Sequence, residues 1–331
     1  SEVNATLSGD KSLSSRPMER IIKPLSKMNV SISHRKGLLP IKISNGRKKH
    51  VPINHTLNIG SAQVKSSILL AGLNVKGTTR IVEKIPSRDH TEIMLKYLGA
   101  NLEKQKNIIS LKSPNLLKPK DLVVPGDFSS AAFVIVAVLL SKKSKVKINN
   151  VGLNFFRTGL LDVLEKMNAK IIIKNKQRFN GETVGDIEIE SSHLLSTSVN
   201  SKIAPRLIDE YPILFVAASF ANGVSEFRGL KELKVKESNR LKSMAKALSE
   251  AGVKLKLADE SIKIFGEKHQ EGGNHVITES DHRVAMSMLI FGLFSKRSII
   301  IDDMEMIKTS FPGFRDLFIG LGAQIEIIQK H

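Results

Sequence analysis

Five times along this chain a stretch with helical apolar periodicity closes on one signature: an apolar residue, usually bulky, then Gly or Asn, then Ala or Val. The copies are Met28-Asn29-Val30, Leu98-Gly99-Ala100, Met167-Asn168-Ala169, Ala251-Gly252-Val253 and Leu321-Gly322-Ala323. Gly and Asn tolerate the left-handed backbone that a helix C-cap demands, so each copy predicts a helix end. The cap positions lie 70, 69, 84 and 70 residues apart, which predicts a repeated supersecondary unit. Four of the stretches open on an arginine, Arg16, Arg88, Arg157 and Arg240, 11 to 13 residues before the cap. A repeat that sets a guanidinium at successive helix N-termini is suited to gripping anions, because free backbone amides and the helix dipole favour negative charge there.

At 331 residues the chain is long enough for two domains with their own cores. It has no cysteine, which excludes disulfides, thiolate metal sites and a thiol nucleophile; its nine histidines are scattered without metal-site pairing. The longest apolar run, Ala131 to Leu140, is half of what a bilayer span needs. With no visible signal peptide, a cytoplasmic location is expected. The formal charge of +19 is compatible with nucleic acid or with acidic small substrates. The basic runs Arg47 to His50 and Lys142 to Lys145 fall at predicted turns, there is no Trp, and there are only two Tyr. That is a poor stacking platform, and no nucleic-acid partner is expected.

Each period reads as helix, strand, helix, strand. In the second period the pattern predicts a helix over Ser61 to Ala71, a strand over Thr78 to Val82, a helix over Arg88 to Leu98 and a strand over Ile108 to Leu111. Leu241, Met244, Ala245 and Leu248 form one face of a helix from Arg240, and Phe314, Leu317, Phe318 and Leu321 one face of a helix from Phe311. The first period is short, with at most one strand and a turn before Arg16. The 84-residue period predicts an insertion within Lys174 to Asp186, and the stretch Ser113 to Pro125 a seam between domains.

The chemistry collects at predicted helix starts. Arg16-Pro17-Met18 reads as a start with Pro at the first helical position, where its missing N–H costs nothing. Lys236-Glu237-Ser238-Asn239-Arg240 sets carboxylate and cations together before another helix, and Asp281-His282-Arg283 precedes the apolar helix Val284 to Phe294. Asp209-Glu210-Tyr211-Pro212 reads equally well as a plain N-cap.

Taken in order with Ser61 to Ser66 and Arg88 to Thr91, these segments closely resemble the 5-enolpyruvylshikimate-3-phosphate (EPSP) synthase family, from about Thr6 to Ile327. The resemblance implies an α/β (α+β) fold of repeated βαββαβ units in a two-domain, inside-out barrel of the enolpyruvyl-transferase kind. Its first unit and part of the second would be missing, with residues 1–120 left of the N-terminal domain and 121–331 forming the C-terminal one. It implies transfer of enolpyruvyl from phosphoenolpyruvate to the 5-hydroxyl of shikimate 3-phosphate, releasing phosphate, with no cofactor and no metal, by a monomer. Carried over by position, Arg16, Gln63, Arg240 and Arg283 are expected at phosphoenolpyruvate. Ser61, Ala62, Gln63, Arg88, Asp209 and Lys236 are expected at shikimate 3-phosphate. Asp209 is the expected base and Glu237 the expected acid. Arg157 falls outside the family's main set of site residues and is expected either to be structural or to support the site from behind its binding residues.

The chain departs from the family pattern in places. Asn239 stands where the family has aspartate, and Thr309 where some members carry an active-site lysine, with Lys308 one residue off. Gly9 to Arg16 imitates the family's opening G-D-K-S-x-S-H-R segment, but Pro17-Met18 and the Ile21, Ile22, Leu25, Met28 stripe mark it as the later R-P-M segment, so Lys11 is not the family's catalytic lysine. Weak or no activity of the chain alone is therefore expected, unless a separate N-terminal piece complements it. The related enolpyruvyl transferase acting on UDP-N-acetylglucosamine typically uses a loop cysteine, which this chain lacks.

Overall fold

The computed structural model describes residues 4–44, 46 and 48–328, apart from the side chains of Lys11 and Ser12; Arg47 of the first basic run lies outside this set. Two compact units emerge: residues 1–124 with 178–182, and residues 125–177 with 183–331.

In the first unit, β1 (Ala5–Leu7), α1 (Lys11–Ser14), α2 (Glu19–Lys27), β2 (Ser31–Arg35) and β3 (Leu38–Ser44) come first. The three strands form an antiparallel sheet in the order β1-β3-β2. A complete unit follows: β4 (Asn54–Leu57), α3 (Ala62–Gly72), β5 (Gly77–Glu83), α4 (His90–Tyr97), β6 (Leu102–Gln105) and β7 (Ile108–Ser113). β4 and β5 are parallel, as strands joined through a helix can be, and the β6–β7 hairpin adds antiparallel to β5. The sheet order is β4-β5-β7-β6. The element order is thus βαβαββ rather than the anticipated βαββαβ, because the parallel pair needs a crossover helix while the antiparallel pair needs only a turn.

The second unit repeats this plan. It contains α5 (Phe128–Leu140), β8 (Lys145–Gly152), α6 (Gly159–Lys166), β9 (Lys170–Phe179) and β10 (Glu182–Glu190), with sheet order β8-β10-β9. A parallel bridge from Gly126 to Val151 stands where the other repeats have a first strand. Then come β11 (Ser198–Val199), α7 (Ala204–Leu207), α8 (Tyr211–Ser219), β12 (Gly223–Arg228), a 3₁₀ turn (Lys231–Val235), α9 (Arg240–Glu250), β13 (Lys254–Leu257) and β14 (Ser261–Gly266). Their sheet order, β11-β12-β14-β13, copies that of β4 to β7. The last repeat holds β15 (His275–Val276), α10 (His282–Gly292), β16 (Ile300–Ile301), α11 (Glu305–Ser310) and α12 (Phe314–Gly320). β15 and β16 pair in parallel, and among the described residues no antiparallel strands extend this sheet.

All five signature caps adopt the left-handed conformation, with φ of 65° at Asn29, 92° at Gly99, 66° at Asn168, 90° at Gly252 and 97° at Gly322. The 84-residue spacing arises from the long β9–β10 hairpin, whose tip, residues 178–182, belongs to the first compact unit. Helices α5 and α8 are apolar all round and almost wholly buried, so they form the centre of the second unit's core. No described helix is long and apolar enough to cross a membrane.

Three helix starts differ from expectation. The Arg16 helix begins at Glu19, because the Met18 N–H is taken by the Gly37 carbonyl at 2.7 Å, which holds Arg16 and Pro17 outside it. The Arg88 helix begins at His90, with Asp89 at its N-cap. The last helix begins at Phe314, because Gly313 at φ 78° separates it from α11.

Candidate active site

Every candidate residue after position 200 falls in one connected network at the N-terminal ends of α5, α6, α8, α9 and α10. Asp209, just ahead of α8, is its centre. Its Oδ1 accepts from Lys236 Nζ at 2.9 Å and lies 3.5 Å from Arg240 Nη1, while Oδ2 lies 3.7 Å from Arg157 Nη1. Arg283 donates to the Asp209 backbone carbonyl at 2.9 Å. Asp209 is not an N-cap: Glu210 occupies that position and its side chain does not cap the helix.

Arg240, the first residue of α9, is 1% exposed and meets a second carboxylate, Asp281 Oδ2, at 2.8 Å from its Nε; its Nη2 donates to Glu237. One buried guanidinium therefore joins Asp209, Glu237 and Asp281. Burial alone would lower the Arg240 pKa, but these carboxylates outweigh it and raise it. Burial likewise works to raise Asp281, and the adjacent Arg240 charge holds its carboxyl below the usual range. Asp281 also caps α10, accepting from the Arg283 and Val284 N–H groups at 2.9 and 3.4 Å, and receives the Ser238 hydroxyl at 3.0 Å. This cap aims Arg283 at Asp209. Burial, aided by Arg283, pushes the His282 pKa down.

Two residues outside the expected binding set join the network: Arg157, expected to be structural or supporting, and Glu210, which the sequence placed only in an N-cap segment. Arg157 stands just before α6, donates to the Ser129 hydroxyl and to Asp127 at 3.2 Å, and approaches Asp209, so it belongs to the network. Its place in the arginine series was the available signal. Glu210, 2% exposed, accepts from Ser129 and lies 3.7 Å from Arg283; burial pushes its carboxyl up. The departure at Asn239 leaves the helix start intact, because its Oδ1 accepts from Lys242 N–H at 3.2 Å and Asn caps as well as Asp. Lys308 makes an exposed pair with Glu305 on α11, and the Thr309 hydroxyl donates to the Met306 carbonyl.

The remaining candidates lie in the first unit. Ser61 caps α3, accepting from Val64 N–H at 3.4 Å, with Ala62 and the exposed Gln63 in the first turn. The Gly60 backbone packs against the Ile85–Pro86 segment, so closely that a Cβ there would lie 3.2 Å from the Ile85 carbonyl oxygen. Arg88 follows that segment. Arg16 is half-buried at the end of a turn in which its N–H donates to the Leu13 carbonyl at 3.1 Å.

Fold and site define an α/β repeat protein whose second unit carries convergent cations at its helix N-termini, with the carboxylates of Asp209, Glu237 and Asp281 on one buried arginine. Comparison with known proteins makes the class specific. A family profile described as EPSP synthase (3-phosphoshikimate 1-carboxyvinyltransferase) matches residues 1–318. The 3-phosphoshikimate 1-carboxyvinyltransferase of Zymomonas mobilis is 44% identical over 335 residues, which covers 98% of this chain and 74% of that protein. The protein of the same name from Bartonella quintana is 45% identical over 331 residues, covering 98% and 75%. The structure of EPSP synthase from Acinetobacter baumannii superposes with a TM-score of 0.88 at 38% identity, over 99% of this chain and 76% of that one. This chain belongs to the EPSP synthase family.

Proposed function

We propose that this chain carries out the 3-phosphoshikimate 1-carboxyvinyltransferase reaction, moving enolpyruvyl from phosphoenolpyruvate to the 5-hydroxyl of shikimate 3-phosphate with release of phosphate. The observation that carries the reading is the shared anchorage of Asp209 and Glu237 on the buried Arg240. Addition followed by elimination needs a group to take the hydroxyl proton and a group to protonate the methylene carbon, held in one site. Asp209 is the base and Glu237 the acid in this reading. Arg240 and Arg283, with Arg16 and Gln63, bind the phosphate and carboxylate of the donor, for which guanidinium forks are suited. Ser61, Ala62, Gln63, Arg88 and Lys236 bind the acceptor.

A coupled phosphate-release assay with phosphoenolpyruvate and shikimate 3-phosphate tests the reading. Phosphate release that depends on both substrates supports it, and its absence overturns it.

A further inference from the structure

Lys65 is the most deeply buried lysine of the described residues, at 0% exposure, and the reaction outlined above makes no use of it. It lies on the inward face of α3 with Ile68, Leu69 and Gly72. Two buried carboxylates surround it. Glu83, two residues after Ile81, occupies the inward register of β5, and Glu92 shares the inward face of α4 with Leu95. Lys65 Nζ is 3.0 Å from Glu83 Oε1 and 2.7 Å from Glu92 Oε1.

The cluster converges on one residue of the adjoining loop. Lys65 donates to the Ser87 carbonyl at 3.3 Å, and Glu83 Oε1 accepts both the Ser87 N–H at 3.1 Å and its hydroxyl at 2.6 Å. All three polar groups of Ser87 are thereby held, and the next residue is Arg88. Beyond Arg88, Thr91 meets Ser66 of α3 hydroxyl to hydroxyl at 2.6 Å. A buried ionic cluster is a poor source of net stability, since apolar residues of similar volume often serve as well or better. What this cluster supplies that an apolar one could not is a directed hold on a loop backbone.

We propose that Lys65 is a positioning residue for the acceptor half-site: through Ser87 it fixes Arg88 relative to Ser61, Ala62 and Gln63 at the start of its own helix. The inference rests on the assignment of those four residues to shikimate 3-phosphate. The test compares the full chain with Lys65→Met/Glu92→Gln, in which lysine and one carboxylate are neutralised together so that one positive and one negative group are removed and Glu83 stays on its Ser87 donors, and with Glu92→Gln alone. Amide hydrogen exchange of residues 85–89 should speed up by ~10-fold or more in the double variant while amides 68–72 keep their protection, because the Ser87 carbonyl has lost its donor and Glu83, which holds the Ser87 N–H and hydroxyl, has lost its cation. Shikimate 3-phosphate affinity by calorimetry should fall by ~10-fold, the scale expected when a binding group shifts by a fraction of an ångström. Glu92→Gln alone should do neither. A double variant with a lowered melting temperature but unchanged loop exchange would show a purely structural role and overturn the proposal. Arg88→Ala separates the two levels. If it leaves affinity for shikimate 3-phosphate unchanged, the acceptor assignment fails, and loop exchange still decides whether Lys65 holds the loop.

Discussion

Replacing Asp281 by Asn separates two functions that one carboxylate performs. Asp281 is 0% exposed and Arg240 1%, so solvent does not screen their contact at 2.8 Å. Removing one partner of a buried ion pair costs about 3–5 kcal/mol. Arg240 keeps Glu237 and Asp209, so the low end, about 3 kcal/mol, applies. Asn retains an oxygen at the cap for the Arg283 and Val284 N–H groups, whereas Ala loses it at about 1 kcal/mol more. Asp281→Asn should therefore lose about 3 and Asp281→Ala about 4 kcal/mol. The chain has no Trp and two Tyr, one in each unit: Tyr97, and the buried Tyr211 that opens α8. Urea unfolding followed by tyrosine emission in a Tyr97→Phe background thus reports on the second unit alone. The sign with pH is fixed as well. The Asp281 carboxyl is held below its unfolded value, so its stabilisation is complete above about pH 4 and disappears as pH falls through the folded pKa. The gap between wild type and Asp281→Asn should close on acidification. A loss below about 1 kcal/mol for Asn at neutral pH would refute the pairing argument, and equal losses for Asn and Ala would refute the cap.

Glu237→Gln keeps the side-chain volume and leaves Arg240 bonded to Asp281, so wherever turnover is found it should fall by roughly 10²–10⁴-fold with little change in melting temperature. Retained turnover would remove Glu237 from the acid role. His282 has a folded pKa below its unfolded value, so the second unit should lose stability as pH falls below about 6.5, and His282→Gln should flatten that slope in urea midpoints measured from pH 7 to 5. At the caps, a Cβ on Gly99 would make only ordinary contact with the Lys118 side chain at 3.9 Å, but φ there is 92°, so Gly99→Ala should cost about 1–2 kcal/mol through backbone strain, read from thermal melts; Asn168→Gly should be neutral or slightly stabilising in the same melts.

The five caps were legible because a left-handed residue after an apolar helix is a local requirement, met by Gly or Asn wherever the chain lies. The same holds for Ser61 at the head of α3 and for the apolar strip that became α5. Helix starts were less legible: Pro17 suits a first helical position, but the Gly37 carbonyl, distant in sequence, claims the Met18 N–H and delays α2 to Glu19. The Lys65, Glu83 and Glu92 cluster left a readable trace, since each charge occupies an apolar register of its own element. Nothing in the sequence says that the three registers meet.

By itself the sequence determined the repeat, its caps, the family and the residue types at each helix start, all of which follow from local backbone preference and motif spacing. Tertiary structure alone decided which of those helix starts converge. It brought Arg157 onto Asp209, gathered Asp209, Glu237 and Asp281 around one guanidinium, gave the tip of the β9–β10 hairpin to the first unit, and set Lys65 beneath Ser87. The reason is physical: a cap depends on one residue's φ, whereas an ion-pair network depends on distances between segments up to 81 residues apart, which packing of the core sets.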